Sequence, residues 1–244
     1  MRTYGWIPDL PDYRDISYKM PFAGKIDSSS DLGFGFSPVE NQGTLGSCTG
    51  QGFAAILEYL DRIGDGIHTD VSRLFIYYNE RKLIGTTQED SGARIRDGIK
   101  ALVNWGACDE SIWRHDRNRF MEEPPPEAYK DGEKRRIKEY RRVSDDLKCI
   151  KYALTNRQPV IFGFSVYTSF ESLRTTETGV VEMPWKFDSV IGGHCVVFCG
   201  HDDKTQMLKF RNSYGTKWGD KGYGYMPYEY VEAGLCADFW VVTQ

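Results

Sequence analysis

Between residues 48 and 105 the apolar side chains recur at helical spacing, and beyond residue 158 they come in short continuous runs. A chain written in two such different periods builds two unlike lobes. Phe53, Ile56, Leu57 and Leu60 stand at i, i+3, i+4 and i+7, one stripe for one core. A second helix is expected over 72–82, carrying Leu74, Phe75, Tyr77 and Tyr78. A third is expected over 93–105, with Ile95, Ile99, Leu102 and Val103 on one face and Gly106 as its stop. A short helix over 145–156 then leads into strands at 159–164, 195–198 and 207–210, each bounded by turn residues. The expected fold class is α+β. The 244 residues suffice to bury roughly 70–75% of the unfolded surface without disulfides or metal.

Charge and composition remove several function classes. The 31 basic and 35 acidic side chains give a net charge of −4, so no global field draws nucleic acid or an anionic membrane. The basic run 134–142 has acidic neighbours and is expected to be a solvated face. The apolar run 195–199 is far short of the ~20 residues that span a bilayer, and residues 1–6 lack the apolar stretch of a secretory signal. Six scattered cysteines without a CxxC pair are expected to be reduced thiols. None of the six asparagines opens an Asn-x-Ser/Thr acceptor, which agrees with a reducing intracellular compartment. The expected state is a monomer.

Three segments could carry chemistry. The first is a Gly-rich polar loop, residues 41–47, that delivers Cys48 to the start of the first helix. Unpaired N–H groups and the positive end of the dipole favour a thiolate there. Cys149, Cys195, Cys199 and Cys236 sit among apolar residues and read as small buried hydrophobes. The second is Gly192-Gly193-His194, open backbone just before a histidine at the head of a strand. His is the side chain that titrates near neutral pH and can serve a nucleophile. The third is Asn212, at the end of a strand, followed by an aromatic and Gly-rich loop; an amide can orient an imidazole without taking its proton. A zinc site from His194, Cys195, Cys199 and His201 is disfavoured. On a strand Cys195 and Cys199 would lie roughly 13 Å apart, against ligand distances of about 2.0–2.3 Å.

Taken together, Gln42-x5-Cys48, Gly193-His194 and Asn212-Ser213-x-Gly215 with Trp218-Gly219-x-x-Gly222-Tyr223 resemble the papain-like cysteine peptidases, in order and local context. The likeness covers about residues 36–244 and is nearest to bacterial and viral members, which carry a similar Trp-x-Pro-Asp-Leu-Pro-Asp arm. It implies a helical lobe at about 36–112 and an antiparallel, barrel-like β lobe at about 140–230 within a domain 24–244, with the cleft between them. It also implies Cys48 as nucleophile, His194 as base and acid, Asn212 as orienter, and Gln42 with the Cys48 N–H as oxyanion hole. Gly193, Cys195, Tyr214 and Trp218 would contact substrate, Trp218 as the aromatic shielding the His–Asn pair. No cofactor or metal is implied, reducing conditions are, and the partners would be polypeptide substrates. The chain departs from the pattern at Leu45 (a half-cystine in many secreted members), at Thr49 (Trp or Tyr in the pattern) and at Tyr214 (Trp).

The same Cys/His/Asn set would also serve a transamidase, and an inactive peptide-binding module is the further alternative. Residues 1–23 have neither period and read as an extended arm. Its Tyr4, Trp6, Ile7, Leu10 and Tyr13 are expected to dock. The first reading is a strut along the back of the lobes; the second is a cover across the cleft.

Overall fold

The computed structural model describes residues 3–244. Seven helices and seven strands follow the two periods of the sequence. The helical lobe holds α1 (Cys48–Asp65), α2 (Arg73–Ile84) and α3 (Ile95–Trp105). Helix α1 ends at Gly66 in the left-handed conformation, and α2 starts where Ser72 Oγ accepts the Phe75 N–H at 3.1 Å. The short α4 (Pro126–Gly132) closes this lobe, with Ala128 under Leu74 and Phe75. The basic run that follows forms a single 3₁₀ turn and then β2 (Glu139–Arg142), where Arg136 and Arg141 pair with Glu133 and Glu139. Its outer residues are solvated, as expected, but Arg135 and Arg142 are largely covered and pair with Asp61 and with Asp15 and Asp238.

The second lobe is an antiparallel sheet in the order β2-β7-β3-β4-β5-β6, made with β3 (Val160–Tyr167), β4 (Val190–Asp202), β5 (Met207–Arg211), β6 (Tyr223–Pro227) and β7 (Cys236–Thr243). Strand β1 (Ser29–Asp31) pairs with the far end of β4. Helix α5 (Leu147–Thr155) packs on the sheet, and α6 (Leu173–Thr178) and α7 (Tyr228–Glu232) lie in its connections. Two expectations are corrected here. The sheet does not close into a barrel: β2 and β6 remain edges with no ladder between them. Its strands also do not stop near residue 230, because β7 lies at 236–243 in the middle of the sheet.

The core between the lobes is continuous. It runs from Phe53, Ile56 and Leu57 of α1 through Ile161, Val197 and Phe198 to Phe239 and Trp240, all buried. Burying each such side chain contributes roughly 1.5–3 kcal/mol. That packing of α1 on β4 fixes the start of α1 beside the middle of β4, and so Cys48 beside Cys195, the residue next to His194.

Candidate active site

Cys48 is the first residue of α1 and is fully buried. Its thiol lies within hydrogen-bonding reach of the backbone N–H groups of Thr49, Cys195 and Gly5. Cys195 is the neighbour of His194 on β4. The helix terminus alone would favour a thiolate, but here burial outweighs it and pushes the Cys48 thiol up to about 11.

His194 is buried, and its Nε2 sits 2.9 Å from Asn212 Oδ1, just past the end of β5. The Tyr214 ring stacks on the imidazole at 4.9 Å, while Phe164 and Phe170 face it at 5.7 and 6.4 Å. Trp218, expected to shield the His–Asn pair, packs edge-on to Tyr214 at 5.9 Å and against Phe170 at 5.8 Å. Tyr214 therefore takes the stacked place and Trp218 backs it.

Gln42 reaches the same spot through backbone pairing of its loop with the Asn212 loop. Its N–H bonds Ser213 O at 2.9 Å, Asn41 bridges Tyr214, and Ser213 Oγ donates to Gln42 Oε1. Gln42 Nε2 donates to Leu45 O at 2.9 Å and, more loosely, to Thr3 O at 3.4 Å. The fold thus gathers Gln42, Cys48, His194 and Asn212 from a loop, a helix start, a strand and a strand end. Cys195 is buried behind them, beside Gln51, Gly52 and Ala55 of α1. The six cysteines form no disulfide.

The arm crosses this constellation. Thr3 Oγ1 donates to Thr44 O at 2.7 Å, and the Tyr4 ring lies edge-on to His194 at 6.0 Å with its hydroxyl on Glu171. Gly5 threads between Gly46 and Gly92: a Cβ at residue 5 would fall 1.8 Å from Gly46 O. Its carbonyl accepts the Ala93 N–H at 2.8 Å, the Trp6 N–H bonds Gly193 O at 2.9 Å, and the Ile7 N–H bonds Ala93 O at 3.0 Å. The Trp6 indole is buried against Gly163 and Gly193, and a Cβ at Gly163 would come within 1.9 Å of the ring. This seat had no signal in the sequence beyond the glycines themselves.

Next along the arm, Asp9 is fixed by Trp240 Nε1 at 3.1 Å, the Arg96 N–H at 3.2 Å and its own N–H to Asp238 at 2.7 Å. Arg96 and Arg142 then hold Asp15 at 2.5 and 3.3 Å. Burial first, and Asp238 second, pushes the Asp9 carboxyl up to about 6. The arm does not bury all of its large side chains. Leu10 stays 68% and Tyr13 98% exposed, because Asp12 turns the chain outward with its carbonyl on the Asp15 N–H and its carboxylate on Arg14.

The comparisons with known proteins agree with this fold. The family model described as papain family cysteine protease matches residues 23–238. A peptidase C1-like protein of Acanthamoeba polyphaga mimivirus is 37% identical over 272 residues, which span all of this chain and 87% of that protein. The crystal structure of xylellain, a cysteine protease from Xylella fastidiosa, superposes with a TM-score of 0.91 at 38% identity, over 99% of this chain and 96% of that one. A Carica candamarcensis cysteine protease, CMS1MS2, solved with E-64, shares the fold at a TM-score of 0.66 and 19% identity, over 90% of this chain and 99% of that one. The chain belongs to the papain family of cysteine proteases.

Proposed function

We propose that this cysteine protease hydrolyses peptide bonds through Cys48, His194 and Asn212, by way of a thioester acyl-enzyme. The observation that carries the reading is the gathering of Cys48, the His194–Asn212 pair and the Gln42 amide between the two lobes. His194 takes the Cys48 proton and later gives it to the leaving amine. The Cys48 sulfur adds to the peptide carbonyl, and the amine leaves with that proton. Water, deprotonated by His194, then releases the acid and restores the thiol. The Gln42 amide and the Cys48 N–H stand where the oxyanion forms; a donor of this kind is worth roughly 10²–10³ in rate. Reduced protein and a peptide library test the reading. Cleavage that yields free carboxylate ends, unchanged when millimolar amine is added, is expected; capture of the acyl group by the amine would reassign the chain to transamidation.

The arm is the second element of the proposal. It supports a cleft cover rather than a strut, since Thr3 to Trp6 lie over Gln42, Cys48, Gly193 and His194. Removing residues 1–8 is expected to speed alkylation of Cys48 and kcat/KM on short peptides by about 10- to 100-fold. That range corresponds to the roughly 1.5–3 kcal/mol of a buried indole. A lower melting temperature with unchanged labelling would restore the strut. The docked arm binds a proton at Asp9, so its hold is full below pH 3.8 and weakens as pH rises through about 6. The gain on removal should therefore be larger at pH 5 than at pH 7.5.

A further inference from the structure

Behind the nucleophile lies an acid that the reaction above does not use. Glu80 of α2 is fully buried, and its Oε2 accepts the Thr49 hydroxyl at 2.6 Å. Thr49 follows Cys48 directly and is itself fully buried. It stands where the family pattern has Trp or Tyr, and its hydroxyl reaches across to α2. Gly98 of α3 makes room on the other side for the Phe53 ring and the carboxyl together: a Cβ there would fall 2.2 Å from Phe53 Cε2 and 2.6 Å from Glu80 Oε1. A glycine inside a helix costs about 1 kcal/mol relative to alanine, so the ring and the carboxyl are accommodated at some expense.

Among the described residues no cation forms an ion pair with it, and the charge of Arg81 counters the effect of its burial only as a lesser influence. Arg81, next to it on α2, spends its guanidinium on the carbonyls of Thr87, Glu89 and Phe120. The other groups that act on Glu80 or feel it are Asp97 of α3, which has Arg94 at 3.6 Å, Cys48 of α1 and Cys195 of β4.

We propose that Glu80 is a positioning residue for Cys48: through its hydrogen bond with Thr49 it fixes the first turn of α1, and a charge on its buried carboxyl would oppose the Cys48 thiolate. The proposal rests on the reading of Cys48 as nucleophile. Burial, with Asp97 as a lesser cause, pushes the Glu80 carboxyl up to about 8, so it is protonated where a neutral-pH protease works. Once ionised, it pushes the Cys48 thiol up, and by linkage a Cys48 thiolate pushes Glu80 up in turn. Rising pH therefore switches on a charge that opposes the nucleophile.

Glu80→Gln keeps an acceptor for Thr49 and removes the titration. Iodoacetamide labelling of Cys48 should be equal within about twofold in parent and variant at pH 6. By pH 9 the variant should be at least about threefold faster, the arm being common to both. Thr49→Val should lower kcat about tenfold at unchanged KM, with Thr49→Ser restoring it. Should Glu80→Gln fail to fold, infrared spectra of the parent decide: a protonated-carboxyl band should be present at pH 7.5 and vanish by pH 9 in step with slower labelling. Coincident pH profiles for parent and Glu80→Gln, an unchanged kcat in Thr49→Val, or no such band would overturn the proposal while leaving Cys48 as nucleophile. If another cysteine is labelled first in the parent at pH 6, the nucleophile reading falls and this inference with it.

Discussion

Cys48→Ala is expected to give a folded protein whose peptide-cleaving turnover is lower by about 10⁶-fold, the scale on which a hydrolase loses its nucleophile. The fold should survive because the change removes one sulfur from a site held by backbone. The Cys48 N–H and its neighbours are set by α1 packing on β4, not by the thiol. Stability should shift by no more than about 1–2 kcal/mol, the cost of one small buried group. The loss of rate is large because nothing nearby can replace the sulfur. Cys195 is the nearest other thiol, but it lies behind the site, and burial holds it well above the ordinary thiol range. Circular dichroism and a melting curve check the fold, and initial rates on a peptide pool check the chemistry. A folded Cys48→Ala protein keeping even 1% of parental turnover would show that the hydrolysis has another nucleophile.

The candidate site residues were legible because they stand in short segments. A helix start, a Gly-Gly-His segment and an Asn at a strand end each stand out within about ten residues, although Gly192, Gly193 and His194 lie inside β4 and not at its head. The helices were legible too, since α1 and α3 each present a one-sided stripe. Strand β7 was not. It lies between β2 and β3 and is buried on both faces, so Phe239, Trp240, Val241 and Val242 show no alternation. Asp238, at φ 57, interrupts it where the pairing with β3 shifts register. Strand β4 shows only four of its residues as an apolar run in the sequence, because its exposed start, Val190 and Ile191, and its polar end, His201 and Asp202, lie outside that run.

The path of the arm was the least legible feature. Gly5 passes the site only because Gly46 and Gly92, 41 and 87 residues away in the chain, leave it space. No local pattern encodes a three-way backbone approach of that kind. The same holds for Glu80: the departure at Thr49 was visible, but its partner lies one helix away and only packing brings them together.

His194→Ala is expected to lower kcat/KM by about 10⁴-fold or more and to change how Cys48 responds to pH. The burial that raises the Cys48 thiol to about 11 sets the reasoning. A thiol there is neutral at pH 6–7 unless a cation faces it, and His194 is the titratable base that the fold brings alongside. In the parent, labelling of Cys48 should therefore persist down to about pH 5, and kcat/KM should be bell-shaped. Its acid limb reports formation of the thiolate–imidazolium pair, its alkaline limb loss of the imidazolium proton, and both belong to the coupled pair. In His194→Ala the plateau should vanish and labelling should climb tenfold per pH unit toward an alkaline midpoint. The Tyr214 and Phe170 rings keep the emptied space lined, so the fold should hold, and a melting curve checks that. Labelling rates measured from pH 5 to pH 10 on both proteins decide the matter. A His194→Ala protein that still alkylates at pH 5 as fast as the parent would mean that the helix terminus alone sustains the thiolate, and that His194 serves only as the later acid and base.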